Sequence, residues 1–227
     1  MVERFLVAVR MILRCTQKFL DFIRVAKKDI SVVPADAAQT LHDWHAHLFY
    51  LNRQKHVLFS HSTSLFFVVA FNVFKKDMID LGSFFTKNLA RCLYYEEFKA
   101  DEINRIVGAV KETDLSLTNN RRVLGSMNDL IKQYKCVIDW REPSESELPE
   151  FQKGLNKTPM SMLKYNYPIE RFRQCALEGL VTGVKAQSLI PTILSESRAA
   201  ITQVVHTGHM GNSLYRRHSQ AYVKIRI

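Results

Sequence analysis

Leu117–Ile138 reads L-T-N-N-R-R-V-L-G-S-M-N-D-L-I-K-Q-Y-K-C-V-I. From Val123 onward its apolar residues fall at 123, 124, 127, 130, 131, 134, 137 and 138, the spacing of one continuous buried stripe on a helix. Directly before the stripe stands a polar corner of Asn119, Asn120, Arg121 and Arg122. Either asparagine can cap the helix, because its side-chain oxygen can accept from an unpaired amide of the first turn. The arginines that follow carry the wrong sign for that place. A helix amino end is partly positive, and a misplaced cation there costs about 0.3–1 kcal/mol. Departures from a local rule gather at functional positions. A positive helix end and two guanidinium groups together would accept phosphate or carboxylate. Arg122, Ser126, Asp129 and Gln133 continue along one flank of the stripe. The candidate ligand-binding set is therefore Asn119, Asn120, Arg121, Arg122, Ser126 and Asp129. The competing reading is structural: the arginines pair with carboxylates elsewhere in the fold.

Upstream, Glu112–Thr118 alternates as a strand and delivers the chain to this corner. Val7–Cys15 (V-A-V-R-M-I-L-R-C) is apolar, partly β-branched and interrupted by arginine, and reads as a strand; Thr16 then caps a helix over Gln17–Val25. Trp44–Leu51, His56–Ser60 and Ser64–Phe71 read as an antiparallel meander. Trp44, Ala46, Leu48 and Tyr50 share one face, and His45, His47, Phe49 and Leu51 the other, so both faces are at least partly covered. Helices are expected over Met78–Tyr95, Asp101–Val110 and Ile169–Leu180, with a helical turn or two in Glu145–Gly154 and an ordered loop over Thr158–Tyr167. Pro191 can open a helix to Val205, and Tyr222–Ile227 alternates as an edge strand guarded by Lys224 and Arg226. The fold class that follows is α+β: an antiparallel sheet, meander plus flanking strands, with helices packed mainly on one face.

The chain of 227 residues, 47% hydrophobic, suffices for one substantial core. The longest apolar run, Leu65–Phe71, is far short of the roughly 18 residues of a membrane span, so no membrane association is expected. The first residues make a poor secretory signal, and Cys15, Cys92, Cys136 and Cys175 are scattered without metal spacing. Reduced thiols in a cytoplasmic protein are the expectation. The net charge is +10. Residues 1–30 and 175–227 each contribute +4, while 31–174 contribute only +2. The basic excess lies at the two ends, which favours weak, salt-sensitive attraction to polyanions over a dedicated nucleic-acid face.

Four motifs occur in order: M-I-L-R-C-T-Q-K from Met11, W-H-A-H-L-F-Y-L-N-R-Q-K-H-V-L-F from Trp44, T-N-N-R-R-V-L-G-S-M-N-D from Thr118, and L-N-K-T-P-M-S-M-L-K-Y-N-Y-P-I-E from Leu155. On these the chain resembles a bacterial family known only as a domain of unknown function, over about residues 11–173. The resemblance implies a compact cytoplasmic domain and brings no activity, cofactor or catalytic residue with it. Members commonly read N-R-S in the third motif. Arg122 stands at that serine place here, which weakens any role for a hydroxyl there. Residues 1–10 and 174–227 fall outside the match and are expected to be extensions, the second of them basic.

Two further chemistries deserve weighing. His42, His45, His47, His56 and His61 crowd into twenty residues, and His45 and His47 share a strand face. Two imidazoles with His42 or Asp43 could hold a divalent metal. No H-E-x-x-H or similar spacing supports this, and half-buried sheet histidines are common, so no metal is expected. A hydrolytic reading would use His45 or His47 as base, Asp129 as orienter and the arginines as anion clamp. It requires the hairpin and the 121–138 helix to meet. No G-x-S-x-G, P-loop or dinucleotide fingerprint is present, and no cofactor is expected. The functional expectation is a binding or regulatory module accepting an anionic ligand, nucleic acid or an acidic protein, at the amino end of that helix. Tyr94, Tyr95 and Tyr134 could add stacking, against the commoner role of core packing. A small phosphoester hydrolase is the alternative.

Overall fold

A computed structural model describes residues 9–33, 40–108, 110–138 and 147–181. In chain order these form β1 (Val9–Cys15), α1 (Gln17–Ile23), β2 (Asp43–Leu51), β3 (Gln54–His61), β4 (Phe67–Ala70), α2 (Leu81–Tyr95), α3 (Ala100–Gly108), β5 (Val110–Leu117), α4 (Arg121–Ile138), α5 (Leu148–Asn156) and α6 (Pro168–Val181), with single 3-10 turns between some of them. The α+β class holds.

The five strands make one sheet in the order β4-β3-β2-β1-β5. The meander β2-β3-β4 is antiparallel as expected, with Phe59 opposite Ala46 and Val68 opposite Phe59. The flanking strands correct the expectation. β1 runs parallel to β2, Arg14 beside His45, and parallel to β5, Arg14 beside Ser116. The sheet is therefore mixed. Strand direction leaves no mark in alternation; the available cue is M-I-L-R-C, where Met11, Leu13 and Cys15 are buried on one face and Arg14 on the other, as strands of parallel ladders are.

Helices lie on both faces of the sheet, with α1, α2 and α6 on one and α4 and α5 on the other. On the face carrying Trp44, Ala46 and Phe59, Phe85 of α2 packs edge-on to Trp44 (4.9 Å) and Phe59 (5.0 Å). Phe19 of α1 meets Phe59 there at 6.4 Å. On the opposite face the stripe of α4, with Val123, Met127, Leu130, Ile131 and Tyr134, covers Phe49, Leu51, Leu58, Phe67 and Val69. Burying a Leu, Phe or Met stabilises by about 1.5–3 kcal/mol, so each of these layers outweighs any local helix preference. The predicted helix 121–138 coincides with α4. The expected helix over Pro191–Val205 and strand over Tyr222–Ile227 lie outside the described residues, as does most of the expected extension at 1–10. No helix among the described residues is long and apolar enough to cross a membrane.

Candidate functional site

β5 ends where Thr118 N donates to the Cys15 carbonyl at 3.0 Å. Three residues later the chain is helical. Asn120, not Asn119, makes the cap: its Oδ1 accepts from Arg122 N (3.1 Å) and Val123 N (3.2 Å), and its carbonyl takes Leu124 N. Arg121 and Arg122 are exposed, as is Asn119. Among the described residues neither guanidinium has a carboxylate partner, so the structural alternative of internal neutralisation does not apply within them. The cap consumes two first-turn amides. An anion arriving here is therefore met chiefly by the guanidinium groups and the positive helix end. Ser126 is half-buried one turn on. Asp129 is exposed and lies 3.4 Å from Lys132 Nζ. Eight residues separate it from Arg121, about 12 Å along the axis.

Beneath this corner the sheet is polar. Ser116, Arg14, His45 and Ser60 stand in one register row across β5, β1, β2 and β3, on the face that α4 covers farther along. Arg14, buried to 3% exposure, grips the fully buried Asp43 through two bonds, Nε to Oδ1 at 2.9 Å and Nη2 to Oδ2 at 3.1 Å. Ser62 Oγ donates to the same carboxylate at 3.0 Å. Such bidentate geometry offsets the desolvation of both charges. His45 Nδ1 lies 2.9 Å from Thr118 Oγ1, which ties β2 to the residue that opens the Asn-Arg corner. Burial lowers the His45 pKa to about 4, opposed by the Asp43 charge and assisted by Arg14. His47 follows on the same face, as the alternation predicted; burial first and Lys18 second lower its pKa, and its Nδ1 is buried without a hydrogen-bond partner.

The structure therefore brings His45 to the edge of the corner and leaves Asp129 away from it. No hydrogen bond or ion pair joins Asp129 to either histidine among the described residues. His61 is held between Ser64 Oγ (2.8 Å) and the Thr40 carbonyl (3.2 Å), and His56 stacks on Phe49. No three His, Cys, Asp or Glu side chains among the described residues are placed to hold a metal ion. Tyr134 is buried against Phe49 and Phe151, which removes it from any stacking role; Tyr94 is exposed and packs on Tyr95. Sequence reasoning missed Arg14 and Thr118, and weighed Asp43 only as a metal ligand. The one signal for the first was an arginine breaking an otherwise apolar strand.

Topology explains why these groups meet. β1 and β5 are adjacent and parallel, so their carboxyl ends lie side by side. α1 departs from one toward the Phe59 face, and α4 from the other toward the Phe49 face. In open sheets with parallel strands, the place where the chain diverges to opposite faces is where ligands bind. A family model described as a domain of unknown function, DUF6933, matches residues 12–171. The chain belongs to the DUF6933 family. The matched span runs from β1 to α6, so the Asn-Arg corner and the Arg14–Asp43 pair both lie inside the DUF6933 domain. No curated protein and no solved structure matches the chain.

Proposed function

We propose that this DUF6933 chain is a cytoplasmic bacterial binding or regulatory module that accepts a polyanion, nucleic acid or an acidic protein surface, at the amino end of α4. The observation that carries the reading is the state of Arg121 and Arg122: exposed, in the first turn of a capped helix, and without a carboxylate partner among the described residues. Two cations on a surface suit an extended anion, which gains by counterion release, better than an enclosed small molecule. The four cysteines are free thiols, in keeping with a reducing compartment. The net charge of +10 adds long-range attraction.

Binding of a fluorescein-labelled single-stranded oligonucleotide and of an acidic peptide tests this. Arg121→Ala/Arg122→Ala is expected to weaken binding of one of them at least tenfold at low salt. Lys27→Ala/Lys28→Ala, an equal loss of charge elsewhere, should leave most of the affinity in place. Equal losses from both pairs would show that only net charge matters and would remove the site.

The second reading, a phosphoester hydrolase, is favoured by the His45–Thr118 contact beside the same arginines. Asp129 does not support it as orienter. Turnover of p-nitrophenyl phosphate by the wild-type chain, lost in His45→Ala, would put this reading first.

A further inference from the structure

Asn156 closes α5 and is fully buried. Its carboxamide faces the backbone of one residue in β4: Oδ1 accepts from Phe67 N at 2.8 Å, and Nδ2 donates to Phe67 O at 3.1 Å. One turn earlier, Gln152 Oε1 accepts from Val69 N at 3.4 Å. Among the described residues β4 ends the sheet, paired with β3 on its other side. Along an antiparallel strand alternate residues turn their backbone groups to opposite sides. Phe67 and Val69 are two apart, and theirs are the groups that a sixth strand would take. A carboxamide offering one acceptor and one donor to the same residue reproduces what a residue of a neighbouring strand offers. Glu96 Oε1 accepts from the same Asn156 Nδ2 at 3.2 Å, which holds the carboxamide in that orientation.

The strand so covered is hazardous. Leu65–Phe71 reads L-F-F-V-V-A-F, seven apolar residues without charge, proline or glycine, the composition of a self-pairing segment. Edge strands are ordinarily guarded by lysine, proline or a bulge. β4 carries no lysine or proline, and its register with β3 is regular. We infer that α5 serves as the strand the sheet lacks, with Asn156 as its principal contact, and that it shuts out a second copy of this chain pairing β4 edge to β4 edge. A second copy is the occupant because a charge-free strand complements itself, and antiparallel edge pairing closes as a two-fold dimer. This inference is independent of the anion site.

The test combines amide hydrogen exchange with sedimentation velocity on the full chain. In dilute Asn156→Ala, the Phe67 amide is expected to exchange at least tenfold faster than in the wild type, with the Val68 amide little changed. As concentration rises, the variant should dimerise beyond the wild type and Phe67 should regain protection. Wild-type Phe67 exchange in the variant, or wild-type sedimentation at every concentration, would overturn the inference. So would dimers in which Phe67 stays fast, because they would form through another surface. Should Asn156→Ala fail to fold, Gln152→Ala is expected to show the same pattern at Val69 on a smaller scale, and its absence there would count equally against the inference.

Discussion

Arg14 occupies a position that apolar chemistry would ordinarily fill, and the sheet accepts it because Asp43, itself held by the Ser62 hydroxyl, is placed to receive it. Arg14→Met leaves a buried carboxylate without its cation and is expected to cost about 3–5 kcal/mol in urea unfolding. Replacing Asp43 as well, with Leu, should recover most of that loss; an additive double mutant would mean that the pair is not a unit. Two strands away in the same row, beyond His45, the Ser60 hydroxyl is buried without a partner. Ser60→Ala should therefore be neutral or stabilising by about 1 kcal/mol, where an ordinary polar truncation destabilises. The histidines give a pH dependence. Burial holds His42, His45 and His61 near a pKa of about 4, below the ordinary 6.5. The unfolded chain thus takes up protons that the folded chain refuses. Stability should be level above pH 6.5, fall between pH 6.5 and 4 by about 1 kcal/mol per pH unit for each histidine, and level off below for this contribution. Denaturant midpoints at pH 7, 5.5 and 4.5 check it, and identical values would show the rings to be solvated.

α4 is the most legible element, because the unbroken 3.6-residue spacing from Val123 to Ile138 admits one reading. Its cap was half legible: two asparagines stood in line, and only the geometry chose Asn120. Asn120→Ala is expected to cost about 1 kcal/mol and Asn119→Ala almost nothing, measured as thermal midpoints. Gly125 is a different matter. A Cβ added there meets nothing within 4 Å, so no close approach requires the glycine. Gly125→Ala should stabilise by about 0.4–1 kcal/mol through helix preference and the unfolded chain. The direction of β1 was not legible, since a strand's partners are set by connections that alternation does not encode. For α5 the sequence shows only a turn or two of helix. A lone asparagine at a helix end carries no sign that it faces a strand edge.

For the whole molecule, the meander, the α+β class and the family span were readable because they rest on local periodicity and ordered motifs. The mixed sheet was not, since it is a consequence of how β1 sits between β2 and β5. That same arrangement sets the Asn-Arg corner beside the carboxyl end of β1 and brings His45 to Thr118. The proposed anion site thus rests on topology as well as on two arginines. Its most direct test is an amide chemical-shift map of the full chain titrated with inorganic polyphosphate at low salt. The account predicts the largest shifts over Asn119–Val123, lost in Arg121→Ala/Arg122→Ala. Shifts confined to residues 1–30 and 175–227, with 119–123 unmoved, would contradict it.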